Sequence, residues 1–328
     1  MSPKTRVALI GLGAMGRNHL RVLTSMQEVD LVAVYDSDGR SQPAETVRRV
    51  NTLSDLQSGM VDYVVVATPT PTHAEVASSL MRLGVPLLIE KPLAENSTRA
   101  LQIREELHRC GGTAVVGMIE RFNGVVEEAR RIVRAKQMGQ LLKISTRRIG
   151  PSPGRDMGVG VLMDLGIHDL DLVQWTSGET VVSPLAHFVS RVVSDRDDLA
   201  IVTGTLRSGA LFQTESSWVS PTKVRSIELV FTSGTVSLDL LSGEVAVTEQ
   251  VGREIEWEAV RDFFGAGRAK SLVYGVKTVE PLVAQHRAMC RAVSTKDWSH
   301  LPGIGESIDL IRLIEGLYKN SRSRDGVS

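Results

Sequence analysis

Apolar residues along the chain fall into short continuous runs in its first part and into alternating runs further on. Positions 7–10, 31–35, 63–67, 86–89 and 113–116 are each short and apolar throughout, the pattern of strands covered on both faces. Between them, 16–26 and 72–83 repeat apolar positions near every 3.6 residues, and 97–110 follows Asn96 and Ser97, which can supply an N-cap. Strands alternating with helices in this way predict a parallel sheet wrapped by helices.

After about Phe122 the rhythm changes. A helical stretch to Lys136 and a strand to Arg148 lead into the Gly/Pro-rich segment 151–160. From 183 to 248, apolar runs recur at hairpin spacing, with Ser208-Gly209 and Ser233-Gly234 as turn signals, which predicts a mostly antiparallel sheet. Helical patterns at 281–293 and 305–318 follow, and the polar tail 321–328 is expected to fray. A chain of 328 residues has the length of two domains. The expected division is 1–120 and 121–328.

Charge narrows the partners. Lys and Arg number 38, as do Asp and Glu, so the formal net charge is +0 and no basic stripe suggests nucleic acid. Cys110 and Cys290 are far apart and outside any paired motif, so neither a disulfide framework nor a thiolate zinc site is indicated, and a reducing cytoplasm fits best. The N-terminal residues pass from Lys4 and Arg6 directly into a short apolar run, so neither a leader nor a membrane span is expected.

Two motifs carry chemistry. The first is the turn Gly11-Leu12-Gly13-Ala14-Met15-Gly16, placed between the first strand and the first helix. Gly11 permits a tight turn, Gly13 lets backbone approach a pyrophosphate, and Gly16 lets helix pack on strand. Ala14 and Met15 open the helix, whose N-terminus attracts phosphate. Asp36 ends the second strand 20 residues after Gly16, where a carboxylate accepts from ribose hydroxyls and repels a 2′-phosphate. NAD is therefore favoured, and Arg40 nearby keeps NADP open. The second motif is Glu90-Lys91-Pro92, at the carboxyl end of the fourth strand, the edge where open α/β sheets bind ligands.

These motifs, with ATPTPTHAEVA from Ala67 to Ala77, IEKPLA from Ile89 to Ala94 and DLGIHD from Asp164 to Asp169, resemble the glucose-fructose oxidoreductase/inositol dehydrogenase/rhizopine catabolism (Gfo/Idh/MocA) family over nearly the whole chain. The resemblance implies an α/β fold. An N-terminal Rossmann domain with a doubly wound parallel sheet would be followed by a C-terminal α+β domain with an open, mainly antiparallel sheet that often mediates oligomerisation. Substrate would be held between the two. It also implies a nicotinamide-dependent oxidoreductase moving a hydride to or from a secondary alcohol carbon of a sugar, with Lys91 and His168 sharing polarisation and acid/base work. A cation at the oxygen makes the alkoxide accessible near neutral pH, which suits Lys91. Asp164 lies four residues before His168, so on a helix both leave one face, and Asp164 would orient a sugar hydroxyl or the imidazole. Thr68, Pro69, His73 and Glu90 are placed by the resemblance against the cofactor, although Thr68, Pro69 and His73 also read as an ordinary turn and helix start.

A narrower resemblance, carried by IERFN at 119–123, 147–171 and SSWVSPTKVR at 216–225, is to the UDP-N-acetylglucosamine 3-dehydrogenase group. It implies a nucleotide sugar such as a UDP-N-acetylhexosamine, oxidised at C3. Arg148 and Arg155 bracket the Gly/Pro segment and would grip a diphosphate as substrate-binding guanidiniums. Their bland alternative is surface charge. Competing functions are a keto-sugar reductase in deoxysugar or antibiotic assembly, and a non-catalytic NAD-sensing regulator, which should have lost one of Lys91, Asp164 and His168. Asp169 and Asp171 beside His168 read as helix-capping or surface groups rather than metal ligands, and no metal is expected. His19, His108, His187, His286 and His300 show no partner in sequence. An exposed apolar sheet face in the second domain predicts a homodimer or homotetramer.

Overall fold

The computed structural model describes residues 3–38, 47–152, 154, 158–190, 196–250, 269–277 and 279–325. The chain forms two compact units, Met1–Ile119 with Glu280–Gly316, and Glu120–Val279 with Leu317–Ser328.

In unit 1 the predicted strands form as β1 (Thr5–Ile10), β2 (Val29–Tyr35), β3 (Tyr63–Val66), β4 (Leu87–Ile89) and β5 (Ala114–Val116). They make one five-stranded sheet in the order β2-β1-β3-β4-β5, parallel at every pairing. The central strands lie in the core: Val7 to Ile10 and Tyr63 to Val66 have no exposed surface, which is why their sequences are apolar without alternation. Beyond β2, a single parallel bridge joins Val34 to Arg49 and widens that edge.

Helix α1 (Ala14–Ser25) buries Gly16, His19, Val22 and Leu23 on one stripe. Helix α2 (His73–Met81) and α3 (Ser97–Cys110) follow their strands, and α3 is capped by the Asn96 side chain accepting from Arg99 N–H. Gly111 ends α3 in the left-handed conformation at φ 61, as a helix C-terminus favours. Unit 1 also contains α6 (Pro281–Thr295) and the first part of α7 (Ile304–Asp325). The expected single boundary at 120 therefore differs from the observed division. Periodicity predicted these helices, but it carries no information about which core their apolar stripe fills.

Unit 2 carries α4 (Gly124–Ala135), β6 (Leu141–Pro151), α5 (Ile167–Ser177), β7 (Val181–Val189), β8 (Leu199–Leu206), β9 (Leu211–Ser217), β10 (Val219–Phe231), β11 (Gly234–Asp239), β12 (Glu244–Gln250) and β13 (Ala269–Gly275). The strands form an eight-stranded sheet in the order β13-β12-β11-β10-β6-β9-β8-β7. Every pairing is antiparallel except β6 with β9. Along β9, Phe212, Thr214 and Ser216 are buried while Leu211 and Gln213 are exposed, so one face is covered and the other open. That open face is mixed rather than the expected apolar patch. Leu185, Val189 and Leu211 share it with the Arg147–Glu215 ion pair.

The tail also differs from expectation. Helix α7 continues through Asp325, so 321–325 is helical, and the rest of the tail lies outside the described residues.

Candidate active site

Parallel register lines up the carboxyl ends of the unit 1 strands. Tyr35, Ile10, Val66 and Ile89 are successive partners across the sheet. The residues that follow them, Asp36, Gly11, Ala67 and Glu90, therefore emerge along one edge, with the Gly11 and Glu90 backbones roughly 10 Å apart across two strand spacings.

The glycine turn is shaped as its sequence required. Gly11 has φ +95, and a side chain on it would strike the Ala67 carbonyl at 2.6 Å. A side chain on Gly16 would meet the Gly11 carbonyl oxygen at 2.0 Å, which is the close approach of helix to strand. At Gly13 nothing lies within 4 Å of an added Cβ. The open space above Gly13 is what a pyrophosphate pressed against the backbone requires. Gly13 is also the N-cap of α1 and supplies no side-chain cap, so first-turn N–H groups face that space with no acidic side chain among them. The Asp36 carboxylate is fixed by Leu12 N–H at 2.6 Å and by Asp38 N–H at 2.8 Å. Each oxygen keeps a lone pair for a ribose hydroxyl. The residues present thus fit a dinucleotide. Arg40, which kept NADP open, lies outside the described residues.

Thr68 and Pro69 lie just beyond β3, and Pro69 caps a short 3₁₀ turn, Thr70–Thr72. His73 departs from the expectation of a cofactor contact. It is 1% exposed, with Nε2 2.9 Å from the Thr68 carbonyl and Nδ1 3.1 Å from that of Pro92. It pins the loop after β3 to the loop after β4. Burial depresses its titration, against hydrogen bonds to these carbonyls that favour the charged ring. Glu90 is likewise turned inward, 5% exposed. Its oxygens accept from His19 Nε2 at 2.9 Å and from Lys91 N–H at 3.2 Å. Lys91 is half-buried, directly after Glu90.

In unit 2, Asp164 and His168 flank a change of helix type. Leu162–Gly166 winds as a π-helix and passes directly into α5. The i→i+5 turn is wider than an α-turn, so the one-face argument from a spacing of four does not carry over. Such single wide turns concentrate at functional sites. Asp197 fixes its start by accepting from Leu162 N–H at 2.8 Å, and also accepts from Tyr318 Oη at 2.9 Å. Asp164 is half-buried and His168 is 8% exposed.

Three expectations fail here. Arg148 is not a loop guanidinium poised for a diphosphate. It lies in β6, 4% exposed, and donates from Nε to Asp169 at 3.0 Å and from Nη1 to Glu120 at 2.7 Å. Burial opposes its charge, but Asp169 and Glu120 outweigh that and hold it protonated more firmly than usual. Asp169 and Asp171 are not capping or surface groups either. Both are 2% exposed, and Asp171 takes a two-pronged contact from Arg121, Nε at 2.8 Å and Nη2 at 2.5 Å. Arg155 lies outside the described residues. The third failure concerns His19 and His286, which seemed partnerless and instead hydrogen-bond each other at 2.9 Å in the core of unit 1. Their signal was present as a histidine inside each apolar helix stripe, between Gly16 and Val22 and between Leu282 and Met289. No cluster of metal-ligating side chains occurs among the described residues.

Comparison with known proteins places both parts of the chain in one family. The model of the oxidoreductase family with an NAD-binding Rossmann fold matches residues 5–118, and that of the GFO/IDH/MocA C-terminal domain matches 126–237. The chain belongs to the Gfo/Idh/MocA oxidoreductase family. Inositol 2-dehydrogenase 2 of Saccharopolyspora erythraea is 32% identical over 58% of this chain, a match that spans only 59% of that relative's own length. UDP-N-acetylglucosamine 3-dehydrogenase of Acidithiobacillus ferrooxidans is 28% identical over 74% of this chain and 76% of its own. A solved structure of that enzyme superposes with a TM-score of 0.80 at 22% identity, covering 96% of each chain.

Proposed function

We propose that this protein is an NAD-dependent dehydrogenase acting on a secondary alcohol carbon of a sugar, with a UDP-N-acetylhexosamine as its substrate class. The observation that carries the reading is the shared edge of unit 1, where the glycine turn, Asp36 and the Lys91 loop follow strands in register. NAD, when bound, supplies the hydride acceptor. Gly11 to Gly16 and the start of α1 hold its pyrophosphate, and Asp36 accepts from the ribose hydroxyls and disfavours a 2′-phosphate.

Oxidation removes a hydride from carbon and a proton from the hydroxyl. Lys91 places an ammonium at the oxygen, where negative charge develops. His168 is the unit 2 candidate for proton transfer, with Asp164 orienting a substrate hydroxyl. The same groups serve keto-sugar reduction in reverse. The similarity to the 3-dehydrogenase supports a nucleotide sugar, and the similarity to an inositol dehydrogenase makes free polyols the competing class. Retention of Lys91, Asp164 and His168 favours an enzyme over a sensing protein. No helix among the described residues is long and apolar enough to cross a membrane. A dimer or tetramer built on the open sheet of unit 2 completes the proposal.

The test follows the absorbance of the reduced nicotinamide with NAD or NADP, offering UDP-N-acetylglucosamine and, separately, inositol. Reduction of NAD by the nucleotide sugar supports the reading in full, and reduction by inositol alone replaces its substrate class. Lys91→Ala is expected to lower kcat by about 10²-fold or more while NAD still binds. A turnover number within a few-fold of the original would remove Lys91 from the chemistry.

A further inference from the structure

Four buried side chains of unit 1 are joined end to end beneath the Lys91 loop. The Tyr63 hydroxyl lies 2.9 Å from His286 Nδ1, His286 Nε2 lies 2.9 Å from His19 Nδ1, and His19 Nε2 lies 2.9 Å from Glu90 Oε1. Tyr63, His286 and His19 have no exposed surface. The chemistry proposed above uses none of the four.

The direction of the chain is set from both ends. Among the described residues the only hydrogen-bond partner of the Tyr63 hydroxyl is His286 Nδ1. A buried hydroxyl that fails to donate costs about 1–3 kcal/mol, so Tyr63 donates. His286 then carries its proton on Nε2 and donates to His19 Nδ1, and His19 carries its own on Nε2 and donates to Glu90. At the far end, the Lys91 N–H donates to Glu90 Oε2. Glu90 thus meets a donor on each oxygen, which suits a carboxylate. Burial pushes the His286 ring well below its ordinary titration range, helped by the neighbouring His19, and pushes the Tyr63 phenol well above its own. A second proton on His19 would leave its bond to Glu90 in place but reverse its bond to His286 and that of His286 to Tyr63, and a proton on Glu90 Oε1 would reverse all three; either leaves the phenol hydrogen without an acceptor. Gly117 completes the seat, because a Cβ there would stand 2.8 Å from Glu90 Oε1.

We infer that Tyr63, His286 and His19 form a one-way hydrogen-bond chain that holds Glu90 as a carboxylate in a single orientation, and that Glu90 through the Lys91 amide fixes the placement of Lys91. The histidines and the tyrosine are positioning residues and touch no ligand. This inference rests on the role proposed for Lys91.

Nitrogen NMR of histidine-labelled full-length protein reads the chain without any substrate. Both rings are expected neutral with the proton on Nε2 near pH 7, and Tyr63→Phe is expected to break the single-tautomer pattern of His286. Kinetics reads the role. His19→Gln keeps an N–H for Glu90 and is expected to retain kcat within about twofold, whereas His19→Leu fills similar space without a donor and should lower kcat about tenfold at unchanged KM for NAD. A purely packing role predicts equal effects of the two substitutions. An imidazolium or an Nδ1 proton on either ring near pH 7 would overturn the chain, and a normal kcat in His19→Leu would overturn its role. Absence of any turnover in the unsubstituted protein would sink the proposed function instead, and the ring spectra would still decide the chain.

Discussion

In unit 1 the buried polar groups next to Lys91 hold one formal charge, on Glu90, and support it through neutral rings and a phenol. In unit 2 the groups around His168 are charged throughout: Arg148 stands between Asp169 and Glu120, and Arg121 clasps Asp171. The first arrangement costs little desolvation, because only its terminal group is an ion. The second removes several ions from water and survives only because each meets an opposite charge with directional hydrogen bonds. Breaking a link of the neutral chain costs orientation more than stability, whereas an ion cluster fails as a unit.

Loss of the cluster's centre should therefore produce the largest effect. Arg148→Met would leave Glu120 and Asp169 without the guanidinium that bonds both, and is expected to destabilise unit 2 by about 3–5 kcal/mol. Urea unfolding measures it. A loss below about 1 kcal/mol would show that water or the nearby Arg225 replaces the guanidinium. Arg225 donates to the Ile149 and Val224 carbonyls, and its charge is weakened first by burial and then by Arg148.

Gly117→Ala tests the neutral system by compression. Its Cβ would lie 2.8 Å from Glu90 Oε1 and 3.2 Å from Oε2, and Glu90 is held on both oxygens. If the chain holds Glu90 firmly, the clash should cost about 1–3 kcal/mol. If Glu90 swings aside, stability stays near that of the unsubstituted protein and kcat falls instead. Thermal unfolding together with kinetics separates these outcomes.

The contrast also explains what was legible in the sequence. The glycine turn, Asp36 and the strand pattern of unit 1 are local features whose spacing forces their geometry, so they were readable residue by residue. His19 and His286 are separated by 267 positions, and Arg121 and Asp171 by 50. The two histidines each lie in an apolar helix stripe, Arg121 and Asp171 lie in segments with no such pattern, and in both cases only the fold supplies the partner. Arg148 was misread for a related reason. Proximity to a Gly/Pro segment suggested a loop, but β6 extends through Pro151 and carries Arg148 inside. The π turn before α5 was equally hidden, since sequence periodicity assumes one helix geometry.

The smallest effect concerns which member of the cluster gives up its charge first. Arg148 binds both carboxylates, yet they respond differently. Burial raises both, but in Glu120 the attraction of Arg148 wins and holds the group below its usual range. In Asp169 burial wins over Arg148, with Glu120 adding to it, and the carboxyl is pushed up to about 6 from an ordinary 3.8. A folded-state value raised above the unfolded one means that the folded protein binds the proton more tightly. The stability this contributes is present in full below about pH 4 and is lost as pH rises through about 6. Asp169→Asn removes the titration. The stability of the original protein relative to that variant should therefore decline between about pH 4 and about pH 6 and level off above. Urea midpoints of both proteins across this window measure the slope. A difference that rises with pH instead would mean that Arg148 dominates at Asp169 as it does at Glu120, and that the cluster in unit 2 holds its charges as firmly as the single carboxylate of unit 1.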